Sequence, residues 1–221
     1  MAELPFKQRV FGEFARIGQA LASERRLELL DLLAQAPRRV DALASMTGMS
    51  VANVSQHLQI LRRARLVETE REGTKMHYRL ADESVVRLWQ ALQLAAETRL
   101  PEVGQLTKED AIAGERRDEW PRDDLERLIE QGEGLLIDVR PAIEYQHGHL
   151  PTAVSLPLEQ LRERIDELPR DRPIIAYCRG AYCLTADEAV TLLRERGFDA
   201  HRVEGGWPEW WAEGRVIASG G

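Results

Sequence analysis

Two thiols stand five positions apart in the stretch AYCRGAYCLTADEA, at Cys178 and Cys183, and the chain has no other cysteine. Such a pair can be a reaction centre, a redox or metal clip, or two small residues in a core. The reactive reading needs a thiolate, and an ordinary cysteine with pKa ~8.5 is largely protonated at neutral pH. A loop running from a strand end to a helix start meets that need. Its backbone N–H groups, with the helix N-terminus, favour an anion at the centre. The residues here fit such a loop. RPIIAYC reads as a strand that ends on Cys178, Arg179 sets a positive charge beside it, and Gly180 permits a turn that a Cβ could obstruct. Ala181, Tyr182 and Cys183 complete the loop, and a helix is expected to begin about five residues after Cys178.

The elements that position this loop alternate in type. DDLERLIEQG reads as helix and GLLIDVR as buried strand. LEQLRERIDEL is helical, RPIIAYC is a strand, LTADEAVTLLRERG is a helix, and DAHRVEG is a strand leading into GWPEWWAEG. Strands alternating with helices predict a parallel sheet in an α/β domain, with ligands at the carboxyl ends of the strands. Asp138 and Arg140 of DVR, with Glu144, His147 and His149, are expected to support the loop and strand ends. Trp207, Trp210 and Trp211 are expected to pack as core and lid, with the pocket mouth as the alternative place for Trp207. The two histidines of YQHGH have no cysteine or acidic partner at ligand spacing, so no metal is expected there.

The first hundred residues read differently. Phe6, Val10, Phe14, Ile17 and Leu21 make one helical stripe. A second helix follows through LELLDLLAQA and stops at Pro37. DALASMTG is a short third helix with Gly48 as its left-handed stop. Ser50 offers an N-cap for SVANVSQHLQILRRAR, where Val51, Val54, Leu58 and Leu61 share one face. Ala52, Gln56, Gln59 and Arg63 point the other way, flanked by Asn53 and Ser55, while His57 lies nearer the apolar side and is expected to pack with its ring satisfied. LVETEREGTKMHYRL turns at Glu72-Gly73 and reads as a hairpin. It is expected to have an apolar face of Met76, Tyr78 and Leu80 and a basic face of Lys75, His77 and Arg79. A last helix from Asp82 to about Thr98 carries Val85, Leu88, Trp89, Leu92 and Ala96 on one side.

Charge separates the two halves. Residues 1–100 hold 15 Lys+Arg against 12 Asp+Glu, giving +3; residues 101–221 hold 15 against 25, giving −10, within an overall −7. Only the first half suits a polyanion. With 43% hydrophobic residues in 221, the chain can build two packed cores. Two cysteines fit a reducing cytosol, the N-terminus has no apolar signal core, and no apolar run approaches the ~20 residues of a membrane span. A cytoplasmic protein with no membrane partner is expected. The predicted organisation is 1–99 as a mainly α winged helix-turn-helix with a β-hairpin wing, 100–119 as linker, and 120–221 as an α/β domain.

Two resemblances sharpen these readings. On IGQALASERRLELLDLL, VDALASMTGMSVANVSQHLQILRRARLV and the EREGTKMHYRL wing, the first half resembles the ArsR family of bacterial repressors along nearly its whole length. That resemblance implies a homodimer that binds double-stranded operator DNA and releases it when an effector binds. Ala52, Asn53, Gln56 and Gln59 are then expected near bases, since Gln and Asn can bond an adenine edge twice. Ser50, Ser55, Arg62, Arg63 and Arg71 are expected to join them at the DNA, with Lys75, His77 and Arg79 holding phosphates from the wing. Metal-sensing members carry cysteines before the recognition helix or an acid/His set in the last helix. Here VDALASMTG and DESVVRLWQALQLAAE contain neither Cys nor His, so an effector other than a metal at those sites is implied.

On LLIDVRPAIEYQHGHLPTAVSLPL, IIAYCRGAYC and GFDAHRVEGGWPEW, the second half resembles a single rhodanese domain from about Trp120. Rhodaneses carry sulfane sulfur as a persulfide on the cysteine that opens the loop, which here is Cys178. A six-residue loop resembles the sulfurtransferases rather than the phosphatase relatives. Many thiosulfate-using members place a cation near the loop's end, where this chain has Cys183. Cys183 then stands open between a thiol that resolves a Cys178 persulfide or sulfenic acid and a small residue capping the helix. The expected function is a repressor whose rhodanese domain senses reactive sulfur from a sulfane-sulfur donor or thiol small molecule. The alternatives are a sulfurtransferase with a regulatory DNA-binding domain, or a redox or arsenite switch through both cysteines. No cofactor is expected.

Overall fold

A computed structural model describes residues 5–109 and 119–220. The chain divides into two compact units, 1–89 and 90–221. The sequence-predicted boundary lies ten residues later. Of the predicted linker 100–119, residues 110–118 lie outside the described residues, and 101–109 are helical.

The first unit contains α1 (Phe6–Leu21), α2 (Glu24–Gln35), α3 (Val40–Thr47) and α4 (Val51–Arg63). The hairpin strands β1 (Val67–Glu72) and β2 (Lys75–Leu80) follow, then the start of α5 (Glu83–Arg99). Gly48 ends α3 at φ +67°, a left-handed conformation that costs glycine little. Ser50 then caps α4, its Oγ accepting from the Asn53 N–H at 3.2 Å. Leu29, Leu30, Leu43, Val54, Leu58, Leu61 and Val86 are fully buried and form the core. Arg38 extends the hairpin on its inner edge by exchanging two backbone bonds with Tyr78.

Four expectations for this unit change. Val51, the first residue of α4, is 52% exposed rather than in the core with Val54 and Leu58. Met76 is likewise exposed, since it sits at the hairpin tip where no helix packs. His57 is half-buried as expected, but its Nδ1 is buried without a hydrogen-bond partner, so the ring is not satisfied. The hairpin's second face is not basic. The antiparallel register sets Glu68 opposite Arg79 and Glu70 opposite His77, so acidic residues stand across the strands from both.

The second unit is built on a five-stranded, wholly parallel sheet. It comprises the C-terminal part of α5, α6 (Pro101–Glu109), β3 (Glu119–Trp120), α7 (Arg122–Gln131), β4 (Leu135–Asp138), α8 (Ala142–His147), β5 (Val154–Ser155) and α9 (Leu158–Arg164). β6 (Ile174–Tyr177), α10 (Thr185–Glu195), β7 (Ala200–Val203) and α11 (Trp207–Ala212) complete it. Strand order is β3-β7-β6-β4-β5. The period-2 alternation of β6 divides its side chains between two cores. Ile174, Ala176 and Cys178 join Leu161, Ala189, Val190 and Leu193 on the α9/α10 face. Ile175 and Tyr177 join Leu125, Leu136, Val203, Trp207 and Trp210 on the other.

Candidate functional sites

In the first unit, α4 presents one polar face. Ala52, Asn53, Gln56, Gln59, Arg62 and Arg63 are exposed, and Ser55 is half-buried. This face follows from the burial of Val54, Leu58 and Leu61 at helical spacing on the other side. The amide side chains of Asn53, Gln56 and Gln59 are therefore open to solvent. The hairpin cations are more committed. Arg79 bonds Glu68 at 2.7 Å, lies 3.6 Å from Glu70, and donates to the carbonyls of Leu80 and Ala81. Arg71 donates from Nε to the carbonyl of Gly73. Lys75 is exposed and His77 half-buried.

The same unit exposes apolar surface. Phe6 is 75% and Phe14 64% exposed on α1, with Phe11 edge-on to Phe14. Leu88 of α5 is exposed as well. Ala20 alone is fully buried along α1; of its stripe Phe6 and Phe14 are exposed, while Val10, Ile17 and Leu21 are half-buried.

In the second unit, β6 delivers Cys178 to the carboxyl edge of the sheet, 2% exposed. The loop then turns through Gly180 at φ +136°, a conformation that L side chains rarely adopt. Its Cys183 N–H returns to the Gly180 carbonyl at 3.1 Å. α10 starts at Thr185, two residues later than the sequence suggests, because this turn occupies the intervening residues. Cys178 and Cys183 are joined as a disulfide with their Cα atoms 6.3 Å apart. Cys183 is half-buried against the α10-side core. The pairing needs the two sulfurs on one side of the sheet: the alternation of β6 sets Cys178 on the α9/α10 side, and Cys183 packs against the same core.

Of the predicted supporting residues, Asp138, Arg140, Glu144 and His149 are buried, whereas His147 is exposed. Arg140 and Asp138, both fully buried, bond through Nη2 and Oδ2 at 2.6 Å. Arg140 also donates to the Gly148 carbonyl at 2.7 Å. Burial alone would lower the Arg140 pKa, but the hydrogen bonds and charge of Asp138 outweigh it and raise the value. Glu144, fully buried, holds Arg179 at 2.6 Å. The positive charge expected beside Cys178 is therefore paired with a carboxylate. His149 stacks on Tyr145 with ring centroids 3.7 Å apart, and its Nδ1 meets the Tyr145 carbonyl at 2.8 Å. Among the described residues no group of three or more His, Cys, Asp or Glu could hold a metal.

Trp207 packs in the core, as expected of the tryptophans, and not at a pocket mouth. It is 2% exposed and lies under the loop, its backbone N–H donating to the Cys178 carbonyl at 3.2 Å. A Cβ on Gly148 would overlap its ring, so that glycine lets the indole seat against the chain.

Two residues of this site carry no motif of their own. Arg202 of β7 is 4% exposed. Its Nη2 donates to the carbonyls of Gly180 at 2.9 Å and Ala181 at 3.3 Å, and its Nη1 bonds Asp187 of α10 at 2.5 Å. Glu119 lies 3.7 Å from its Nε. The available signal was an arginine inside DAHRVEG, a strand that must be covered on both faces, where a charge requires a buried partner.

Comparison with known proteins agrees with this division. The model for bacterial regulatory proteins of the arsR family matches residues 23–69, and that for the rhodanese-like domain matches 121–213. The chain is 43% identical over 214 residues to the HTH-type transcriptional regulator Rv0324 of Mycobacterium tuberculosis, covering 97% of this chain and 94% of that protein. It is 30% identical over 95 residues to a sulfurtransferase of Allochromatium vinosum, covering 42% of this chain and 87% of the relative. A solution structure of the homodimeric winged helix-turn-helix domain Mb0332 of Mycobacterium bovis is 44% identical with TM-score 0.42. It covers 45% of this chain and 93% of that one.

Proposed function

The chain belongs to the ArsR-type bacterial regulatory proteins that end in a rhodanese-like domain, and on that premise we propose that it is a DNA-binding transcriptional repressor whose rhodanese domain senses reactive sulfur at Cys178. The exposed face of α4 supports DNA reading, with Asn53, Gln56 and Gln59 toward bases and Arg62 and Arg63 toward phosphates. The solvent-facing phenylalanines of α1 and leucines of α5 favour a homodimer, which fits a palindromic operator with two half-sites. The wing contributes less charge to DNA than its sequence suggested, because acids face its cations.

The observation that carries the sensing half is the position of Cys178. It closes β6 at the carboxyl edge and is bonded to Cys183 across a glycine-hinged loop. With both thiols reduced, the Cys178 thiolate attacks the outer sulfur of a donor R–S–SH. A new S–S bond forms and RS⁻ leaves, placing a persulfide on Cys178. The Cys183 thiolate then attacks the Cys178 sulfur, forming the disulfide and expelling HS⁻. Two thiols are oxidised by two electrons, and the sulfane sulfur is reduced to sulfide. The bonded pair is the end state of that sequence, and it biases the protein between DNA-bound and free forms.

The test is operator binding with and without polysulfide. Cys178→Ser should keep DNA affinity and lose polysulfide-induced release; a normal response in that variant would overturn the sensing role. A sulfurtransferase that regulates its own operon would instead turn over thiosulfate or a thiol acceptor catalytically. A second reading, a plain thiol switch, is favoured by the disulfide itself. It predicts release of DNA by peroxide with no sulfur donor present.

A further inference from the structure

The geometry points to Arg202 as the positioning residue that fixes which way the peptides of the sulfur loop face, and so makes Cys178 reactive near neutral pH. The inference rests on reading Cys178 as the reactive thiol. It starts from what the loop lacks. No cation stands at the loop's end, where Cys183 is found, and Arg179 at its start is paired with Glu144. The cation that reaches the loop comes from β7, and it meets carbonyl oxygens. One guanidinium nitrogen of Arg202 holds both the Gly180 and Ala181 carbonyls.

In a trans peptide the C=O and the following N–H point in opposite directions, and no cis bond occurs among the described residues. Holding those two carbonyls toward Arg202 therefore turns the N–H groups of Ala181 and Tyr182 away from it. The N–H groups of these two peptides are thus kept on one side and their carbonyls on the other. Gly180, with its permissive backbone, is where the loop could most readily reverse this arrangement. An anion at Cys178 is stabilised by N–H groups and destabilised by carbonyls, so peptide orientation sets thiolate stability.

Arg202 acts by orientation more than by its own charge. Asp187 bonds it at 2.5 Å, both side chains are buried, and Glu119 lies 3.7 Å away, so its charge is offset locally. Asp187 sits in the first turn of α10 and anchors the guanidinium between that helix and the loop. A lysine would keep the charge but lacks the planar fork that satisfies a carboxylate and two carbonyls together.

The experiment is the pH profile of Cys178 alkylation by iodoacetamide in the fully reduced full-length chain. The thiolate displaces iodide, and the product is read by mass. Trypsin cuts after Arg179, so the two cysteines fall on separate peptides. Arg202→Gln and Arg202→Lys should both move the Cys178 profile to higher pH by about one unit, roughly tenfold slower alkylation near neutral pH. An unmoved profile in Arg202→Gln overturns the inference, and so does a wild-type profile in Arg202→Lys, which would assign the effect to charge. If Arg202→Gln does not fold, the double variant Arg202→Gln/Asp187→Asn, which leaves no unpaired buried charge, gives the same reading. Uptake of sulfur from polysulfide is measured in parallel. Its absence in wild type would refute the proposed function while leaving the alkylation result to judge Arg202.

Discussion

The hydroxyl of Tyr177 donates to Asp138 at 2.7 Å and accepts from the Leu150 N–H at 3.1 Å, with no exposure to solvent. It joins the last residue of β6 to the end of β4, directly below Cys178. Burial raises its pKa well above 10, and the charge of Asp138 raises it further. The unfolded chain releases this proton near pH 10, whereas the folded chain retains it. Its stabilising contribution is therefore complete below pH 10 and lost as pH rises above that value. Tyr177→Phe should flatten the alkaline limb of a stability-against-pH curve by up to about 1.4 kcal/mol per pH unit. At neutral pH the same variant should lose about 1–3 kcal/mol, since a buried carboxylate loses a donor and a buried N–H loses its acceptor. Denaturant unfolding at several pH values measures both.

Gly206 lies against the loop backbone. A Cβ there would come to 2.5 Å from the Gly180 nitrogen and closer still to the Cys178 carbonyl. Its φ of −171° is open to any residue, so the constraint is contact and not conformation. Gly206→Ala should destabilise the second unit by about 1–3 kcal/mol, as overpacking does. It should also expose Cys178 to alkylation in the reduced chain.

DNA affinity should depend unequally on the two basic elements. Gln56→Ala and Gln59→Ala should each cost about 1–3 kcal/mol for the operator, with little change for unrelated DNA. Arg63→Ala should lower the slope of log affinity against log salt by about 1. Arg79→Ala should change that slope far less, because Glu68 and Glu70 already face its guanidinium. Equal slopes for the two arginine variants would contradict this.

Cys183→Ser separates uptake from resolution. The variant cannot form the disulfide, so donor-treated protein should keep the mass of one added sulfur on the Cys178 peptide. Wild-type protein should instead lose the mass of two hydrogens across the pair. A stable persulfide in wild type and variant alike would remove Cys183 from the response.

Much of this was legible in the chain itself, because local signals depend on neighbours in sequence. Helical spacing located α1, α2, α4 and α5, Gly48 and Ser50 marked the turn between α3 and α4, and the run from RPIIAYC into LTADEA placed the sulfur loop. The two-residue strands β3 and β5 carried too little pattern to be read, since they add parallel edges whose partners lie far away in sequence. The charge of the hairpin was misread for a related reason. Alternation along one strand shows which side chains share a face but not what stands opposite, and only the register set Glu68 and Glu70 against Arg79 and His77.

Sequence alone determined that a winged helix-turn-helix precedes an α/β domain with a cysteine at a strand end, because periodicity and turn chemistry are local. The tertiary structure decided the rest of the site. It paired Cys178 with Cys183, buried Trp207 beneath the loop, and brought Arg202 from β7 and Asp187 from α10 to hold the Gly180 and Ala181 carbonyls. The Arg202 contacts join residues up to 22 positions apart, and chain folding, not spacing, sets which buried charge finds which partner.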